Sequence, residues 1–322
     1  MKTVAGIDIG TNTILLLIAQ LNDDKDDGKN SDKKNDTNDS NYYPKIHKII
    51  ADEHRIARLG EGVNQSGIIS DKALNRALDI LEEYNNILDH HHIDKLRVVC
   101  TSAVRDAKNK NQVLASLSKK IGVTVETISG EEEAELSFLG STINNNNQKI
   151  IDIGGGSTEF ISGENNQINY KISLNIGAVR ITEMFFSSYP PSKTEISKAN
   201  EFITAELKKL KLNNISKTLI AVAGTPTSLS QIALSLKKFQ REEIHLHKMS
   251  INELKETINI LKTNNLETLI NKFYIHPKRA DVLLGGALIL LEFIKYLSIN
   301  SFITSANGLR YGLVLNILKK NN

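Results

Sequence analysis

Apolar positions along this chain alternate between short β-type runs and longer helical ones, in an order that predicts an α/β protein. Residues 3–21 read as a hairpin, with Val4-Ala5-Gly6-Ile7-Asp8-Ile9 as one arm and Ile14-Leu15-Leu16-Leu17-Ile18 as the other. A strand is predicted over 45–51, and residues 55–62 read as a loop because two glycines interrupt a polar–apolar mixture. Ser70 caps a long helix whose apolar stripe is Ala73, Leu74, Ala77, Leu78, Leu81, Tyr84 and Leu88. A strand over 95–100 then runs through a hydroxyl-rich turn into a helix ending near Lys120, and 123–128 reads as another strand. Ser129 opens the next helix and stands at capping-box spacing from Glu132. Beyond it come a strand ending at Ile153, an apolar–polar alternation restarting after Gly156, and helix starts at Gly177–Arg180 and Ser192. The second helix is predicted to run to about Lys211. Leu219–Ala223 reads as a buried strand, 250–297 as mainly helical with one helix over 278–297, and 301–304 as the last strand. A terminal helix begins at about Gly308.

Two of these turns carry the same figure. Ile7-Asp8-Ile9-Gly10-Thr11-Asn12-Thr13 and Ile151-Asp152-Ile153-Gly154-Gly155-Gly156-Ser157-Thr158-Glu159 each run from β-formers through an aspartate into glycine and hydroxyl residues. Glycines let backbone N–H groups close around an oxyanion, and a carboxylate beside such a cradle makes chemical sense if a cation sits between them. A single Asp-x-Gly turn reads equally well as a plain hairpin. Two in one chain indicate an internal repeat, with one phosphate loop in each half. Asp8, Asp152 and Glu159 are then candidate Mg²⁺ ligands. The loop residues Gly10, Thr11, Asn12, Thr13, Gly154, Gly155, Gly156, Ser157 and Thr158 are candidate phosphate contacts. Gly224 and Thr225 form a third turn of this kind. Arg105, at a helix start after a hydroxyl-rich turn, is a candidate anion contact; the alternative, Thr101 or Ser102 capping that helix, stands beside it. A glutamate from the Glu131–Glu135 turn could accept a proton from an attacking water.

Composition narrows the class without naming it. The chain has 322 residues, enough for two domains, and is 40% hydrophobic and 24% charged. Its one cysteine, Cys100, excludes an internal disulfide, fits a reducing cytoplasm and closes an apolar run, as a buried strand residue would. The N-terminus reads as a strand, so no leader peptide is expected, and the longest apolar run, 287–291, is too short to span a bilayer. A net charge of +3 does not call for nucleic acid. Residues 22–43 hold seven Asp and four Lys among Asn, Ser and Gly, a low-complexity acidic insertion expected to be a mobile surface loop. His90-His91-His92 falls at a helix end, where cations suit the dipole better than three consecutive histidines suit one metal.

Seven stretches together resemble the exopolyphosphatase / guanosine pentaphosphate phosphatase family, in its short form without a C-terminal helical extension. They are the two Asp-Ile-Gly loops, Arg58-Leu59-Gly60-Glu61-Gly62, Thr101-Ser102-Ala103-Val104-Arg105-Asp106-Ala107, Ser129-Gly130-Glu131-Glu132-Glu133-Ala134, Gly177-Ala178-Val179-Arg180 and Gly224-Thr225-Pro226-Thr227-Ser228-Leu229. The resemblance implies two α/β, ribonuclease H-like domains of the actin/Hsp70/sugar-kinase superfamily with a cleft between them. By sequence order, 1–126 with 308–322 would form domain I and 127–307 domain II. The family's general base falls on Glu133, its metal-associated acids on Asp152 and Glu159, and its channel arginine on Arg105. The resemblance further implies Mg²⁺ as cofactor and release of terminal orthophosphate from inorganic polyphosphate or pppGpp. No membrane or specific nucleic acid partner is expected from the apolar runs and charge, and the resemblance admits a homodimer. An ATP-dependent kinase of the same superfamily and a non-catalytic polyphosphate or alarmone sensor are the alternative readings.

Overall fold

The computed structural model describes residues 1–22, 45–143, 148–164, 167–210 and 218–318. Apart from Asn22, the acidic insertion lies outside the described residues, as does Lys211.

Two mixed sheets carry the architecture, and their strands follow the same plan. In the first, β1 (Lys2–Ile9), β2 (Thr13–Leu21) and β3 (Ile46–Ile56) form an antiparallel meander. After α1 (Val63–Ser66) and α2 (Asp71–Asp89), β4 (Lys95–Cys100) joins β1 in parallel. Helices α3 (Ser102–Asp106) and α4 (Lys110–Ile121) lead to β5 (Val125–Thr127), completing the order β3-β2-β1-β4-β5. Helix α5 (Gly130–Ser141) crosses to the second sheet, where β6 (Gln148–Ile153), β7 (Thr158–Glu164) and β8 (Gln167–Leu174) repeat the meander. Then come α6 (Ala178–Phe185), α7 (Lys193–Leu207), β9 (Leu219–Val222), α8 (Gly224–Ala233), α9 (Arg241–Ile244) and β10 (Lys248–Ser250). Helices α10 (Ile251–Thr263), α11 (Leu266–Asn271), α12 (Pro277–Ala280) and α13 (Leu283–Tyr296) precede β11 (Ser301–Thr304) and α14 (Leu309–Asn316). The second sheet runs β10-β11-β9-β6-β7-β8, with β6, β9 and β11 parallel. The Asp8 and Asp152 turns therefore occupy equivalent ends of equivalent strands, outside the carboxyl ends of the parallel core, where α/β sheets bind ligands.

Burial explains the layers. Helices α2 and α4 cover one face of the first sheet, and the α2 stripe read from the sequence, joined by Ile80, points into that core. Helix α13 buries residues on every side, as a helix inside a core must, and packs with α7, α8 and α10 on the second sheet. No helix among the described residues is long and apolar enough to cross a membrane. Helices α5 and α14 meet between the sheets, sharing Leu136, Leu309 and Leu313 with Val99 and Ile128. Their backbones touch: a Cβ on Gly312 would lie 1.8 Å from the Leu136 carbonyl oxygen.

Local departures from the predicted elements have tertiary causes. Strand β3 continues to Ile56, through residues that read as loop, because β2 pairs with it along its length. The helix expected after Thr101 breaks between Asp106 and Lys110, where the Lys108 N–H donates to Gly67 and the Asn109 side chain bonds Ile69. The helix expected over 278–297 breaks at Asp281–Val282, where the Asp281 carboxylate is tied to Arg58 at 2.8 Å. Strand β5 keeps only three of the six residues expected. The Ser129 capping box is half formed: Ser129 Oγ accepts from Glu132 N at 3.1 Å, but the Glu132 carboxylate binds Arg97 instead of returning to the cap.

Candidate active site

Both Asp-Ile-Gly turns close the same way, Gly10 N donating to Thr13 O and Gly154 N to Ser157 O, each at 3.0 Å. Each is thus a true hairpin turn. What distinguishes them is that they face one another. A Cβ on Gly155 would come 2.8 Å from Thr11 Cβ, and one on Gly156 would come 2.6 Å from Ser102 Oγ, so only glycine allows this approach. Thr11 and Ser102 hydroxyls are themselves 2.9 Å apart. Arg180 Nε fixes the second turn by donating to Gly156 O at 2.8 Å.

Beside the turns lies a cavity of about 610 Å³, with Asp8, Glu133, Asp152, Gly154, Gly155 and the Gly10–Thr13 turn on its wall. Gly224 and Thr225, at the start of α8, face the same space. The other predicted contacts do not reach it. Thr158 Oγ1 donates to Ile176 O at 2.6 Å, which spends its hydroxyl on the backbone. Gly156 and Ser157 are not on the cavity wall, and Glu159 is fully buried on β7, accepting from Ser173 Oγ at 2.7 Å. Glu159 stands directly opposite Asp152 in the β6–β7 register. Arg105 sits behind Glu133, its Nη1 donating to Glu133 Oε2 at 3.1 Å and to Ile128 O at 2.9 Å. Neither capping alternative at α3 forms: Thr101 makes no side-chain cap bond, and Ser102 pairs with Thr11.

Three carboxyl groups line this cavity and Glu159 lies next to Asp152 on the adjacent strand, and none behaves as a surface acid. Burial pushes Asp152 up to about 6, against the Ser137 hydroxyl that donates to it. Burial pushes Glu133 up to about 7; Arg105 opposes the shift and the Asp152 charge adds to it. Asp8 is raised well above its ordinary value by burial and then by the Glu133 and Asp152 charges. Glu159 is raised for the same reasons, its serine partners opposing. Glu133 differs from its neighbours in the same turn: Glu132 pairs with Arg97, and Glu131 and Glu135 with Lys171, all outward.

A cation fits here. Asp8 Oδ1 is buried with no hydrogen-bond partner, and like charges in low dielectric invite a counter-ion. Among the described residues no three His, Cys, Asp or Glu side chains form a ready-made metal cage.

The sequence reading missed Arg279. Its guanidinium reaches Thr13 Oγ1 and Ser228 Oγ, each at 3.3 Å, and a Cβ on Gly224 would overlap it at 2.0 Å. Its partners are hydroxyls rather than a carboxylate, and burial pushes it down to about 10. A half-buried cation with hydroxyl partners on a cavity wall can receive an anion. Arg310, nearby, is already engaged, holding Asp52 with Nε–Oδ1 at 2.7 Å and Nη2–Oδ2 at 3.1 Å. Arg310 stands in the first turn of α14, where the dipole disfavours cations, whereas Arg279 falls in the last turn of the four-residue α12, so no local signal marked it.

Two facing aspartate turns, a buried acid cluster and a duplicated mixed sheet define a two-sheet α/β protein with one site shared by both sheets. The chain belongs to the Ppx/GppA phosphatase family, whose model matches residues 40–321. It is 32% identical to "Exopolyphosphatase 2" of Mycobacterium tuberculosis over 98% of this chain and 99% of that one. It is 34% identical to the "Bifunctional 3-dehydroquinate synthase/phosphatase" of Fusobacterium nucleatum over 97% of this chain, but spans only 46% of that longer protein. A crystal structure of an exopolyphosphatase-like protein superposes with a TM-score of 0.87 at 31% identity, covering 98% of this chain and 97% of that one.

Proposed function

We propose that the protein is a Mg²⁺-dependent exophosphatase that removes terminal orthophosphate from inorganic polyphosphate, with pppGpp as a second substrate. The observation that carries this reading is Glu133: a buried carboxyl with a pKa pushed to about 7, on the cavity wall beside the facing loops. A base with that pKa suits proton abstraction at neutral pH. Phosphoryl transfer otherwise asks for positioning and charge neutralisation. The amides of Gly10–Thr13 and Gly154–Gly155 would hold phosphate oxygens, and Arg279 would neutralise charge on the chain. Arg105, fixed by Ile128 O, holds the Glu133 carboxylate toward the cavity. A water oriented by Glu133 attacks the terminal phosphorus, its proton passing to the carboxylate. The bridging P–O bond breaks, and the shortened chain leaves with the electron pair. Asp8 and Asp152 would hold Mg²⁺, with Glu159 behind them, and the ion would supply Lewis-acid neutralisation of the phosphate oxygens.

The test compares phosphate release from polyphosphate and from pppGpp, with Mg²⁺ or EDTA, for the native protein and Glu133→Gln. Release that needs Mg²⁺ and falls at least about 10²-fold in the variant is expected. Tight binding without release would instead establish a sensor, and transfer only to an added acceptor would establish a kinase.

A further inference from the structure

The Arg58-Leu59-Gly60-Glu61-Gly62 stretch has no part in the chemistry described above, yet the structure gives it unusual work. Two of its amides hold the first phosphate loop from behind: Arg58 N donates to Asn12 O at 2.9 Å and Gly60 N to Thr11 O at 2.8 Å. Gly60 presses so close that a Cβ there would lie 2.3 Å from Thr11 Cγ2. The turn is anchored to α2 by Arg76, which donates to Ala57 O, Arg58 O and Glu61 Oε2 at 2.6, 2.9 and 2.8 Å. Arg58 adopts φ +52°, a left-handed conformation.

The other side of the same segment faces the second half of the molecule. Four contacts follow one another along nine residues. Lys278 Nζ donates to Ile56 O at 3.1 Å, and Arg58 pairs with Asp281 at 2.8 Å. Gly62 N donates to Glu183 Oε1 at 2.8 Å, and Arg180 Nη1 to Asn64 Oδ1 at 3.1 Å. Arg180 in turn grips the second phosphate loop at Gly156 O. One short segment thus touches the backbone of the first loop directly and that of the second through one arginine.

We propose that residues 56–64 are a cross-cleft latch whose Arg58, Gly60 and Gly62 position the two phosphate loops against each other around the substrate's terminal phosphates. This deepens, and rests on, the exophosphatase reading. Arg58, Asp281 and Glu183 are positioning residues: they act through the loops. Releasing the latch lowers the population in which the loops are apposed, and bound substrate restores it. Apparent affinity therefore falls while saturated turnover persists.

The test uses Arg58→Gly, since glycine accepts φ +52° without strain and removes only the side chain, and Asp281→Asn from the opposite side. Each should raise KM about tenfold with kcat within about twofold, and the double variant should go no further than either single. Arg58→Lys, which keeps the charge, should return most of the affinity. A lower kcat at unchanged KM, or additive effects in the double variant, would overturn the latch. Amide hydrogen exchange at Thr11–Thr13 decides independently of activity. Faster exchange in Arg58→Gly at an unchanged melting midpoint supports the latch, and identical exchange rejects it. Were the native protein to release no phosphate, the exophosphatase reading would fall while this exchange comparison still judged the latch.

Discussion

Glu133→Gln separates the base's chemistry from its electrostatic burden. In the fold the carboxyl sits at about 7 instead of 4.5, burial being the largest cause. At about 1.4 kcal/mol per pH unit, the native state prefers the protonated carboxyl by about 3 kcal/mol more than the unfolded chain does. The sign follows from proton counting. Between pH 4.5 and about 7 the folded protein holds a proton that the unfolded chain has released, so native stability falls as pH rises through that window and levels off above it. Glutamine does not titrate. Its stability advantage over the native protein should therefore widen by about 3 kcal/mol from pH 4.5 to above pH 7 and then stay constant. Loss of the Glu133 charge also relieves Asp8 and Glu159, which widens the gap in the same direction. Arg105 loses its ionic partner in the variant but keeps Ile128 O and lies near Asp106, at 3.9 Å.

Urea unfolding of both proteins in EDTA at pH 5, 6, 7 and 8 measures the gap directly, and phosphate release by the same preparations, assayed separately with Mg²⁺, measures the function. The expected result is a protein more stable at pH 8 and inactive, the trade-off typical of a strained active site. A gap that does not change with pH, or that narrows as pH rises, would refute the assignment of a buried, pH-active carboxyl at Glu133.

Three further outcomes are expected. Arg279→Met should raise KM for phosphate substrates about 10- to 100-fold, the worth of a hydrogen bond to a charged group; steady-state kinetics giving an unchanged KM would remove Arg279 from the phosphate site. Mg²⁺ should raise the melting temperature more at pH 8 than at pH 5, because Asp152, at about 6, and Glu133, at about 7, are protonated at the lower value and compete with the ion. Thermal scans with and without EDTA show it, and an equal rise at both pH values would place the ion elsewhere. Gly312→Ala should destabilise the protein by about 3 kcal/mol or more, since its Cβ would meet the Leu136 carbonyl oxygen at 1.8 Å; an unchanged unfolding midpoint would show that α5 and α14 can part freely.

Features encoded locally were readable from the chain. The α2 stripe and the hairpin form of the first aspartate turn are written in spacing and composition, and the structure places them as read; the apolar helix near the C-terminus was also readable, though it starts at Leu283 rather than at 278. Glu133 was singled out among four nearby acids by resemblance; geometry gives the reason, since its neighbours point outward to Arg97 and Lys171 while it alone is buried. The residues that escaped are defined by what lies across the fold. Arg279 meets Thr13 and Arg58 meets Asp281 only once the two halves are folded against each other, and no periodicity records such a meeting. Thr158 shows the converse: a hydroxyl beside a glycine turn can serve a phosphate or its own backbone, and Thr158 serves Ile176.

Duplication explains why the site needs both halves. Each copy of the mixed sheet supplies one aspartate turn, and neither turn alone is more than a hairpin end. Asp8 comes from the first sheet and Asp152 and Glu159 from the second, while Glu133 enters on the helix that links them. Bringing the halves together sets Asp8 beside Glu133 and Asp152, whose charges raise it, so the closed arrangement carries an electrostatic cost that the separated halves would not. On the proposed function, a polyphosphate arriving alone would add negative charge to that cluster. Arriving with divalent cations, it would remove the cost and gain the loop amides and Arg279. Affinity for phosphate, affinity for the cation and closure of the two halves are therefore linked, and each must strengthen the others.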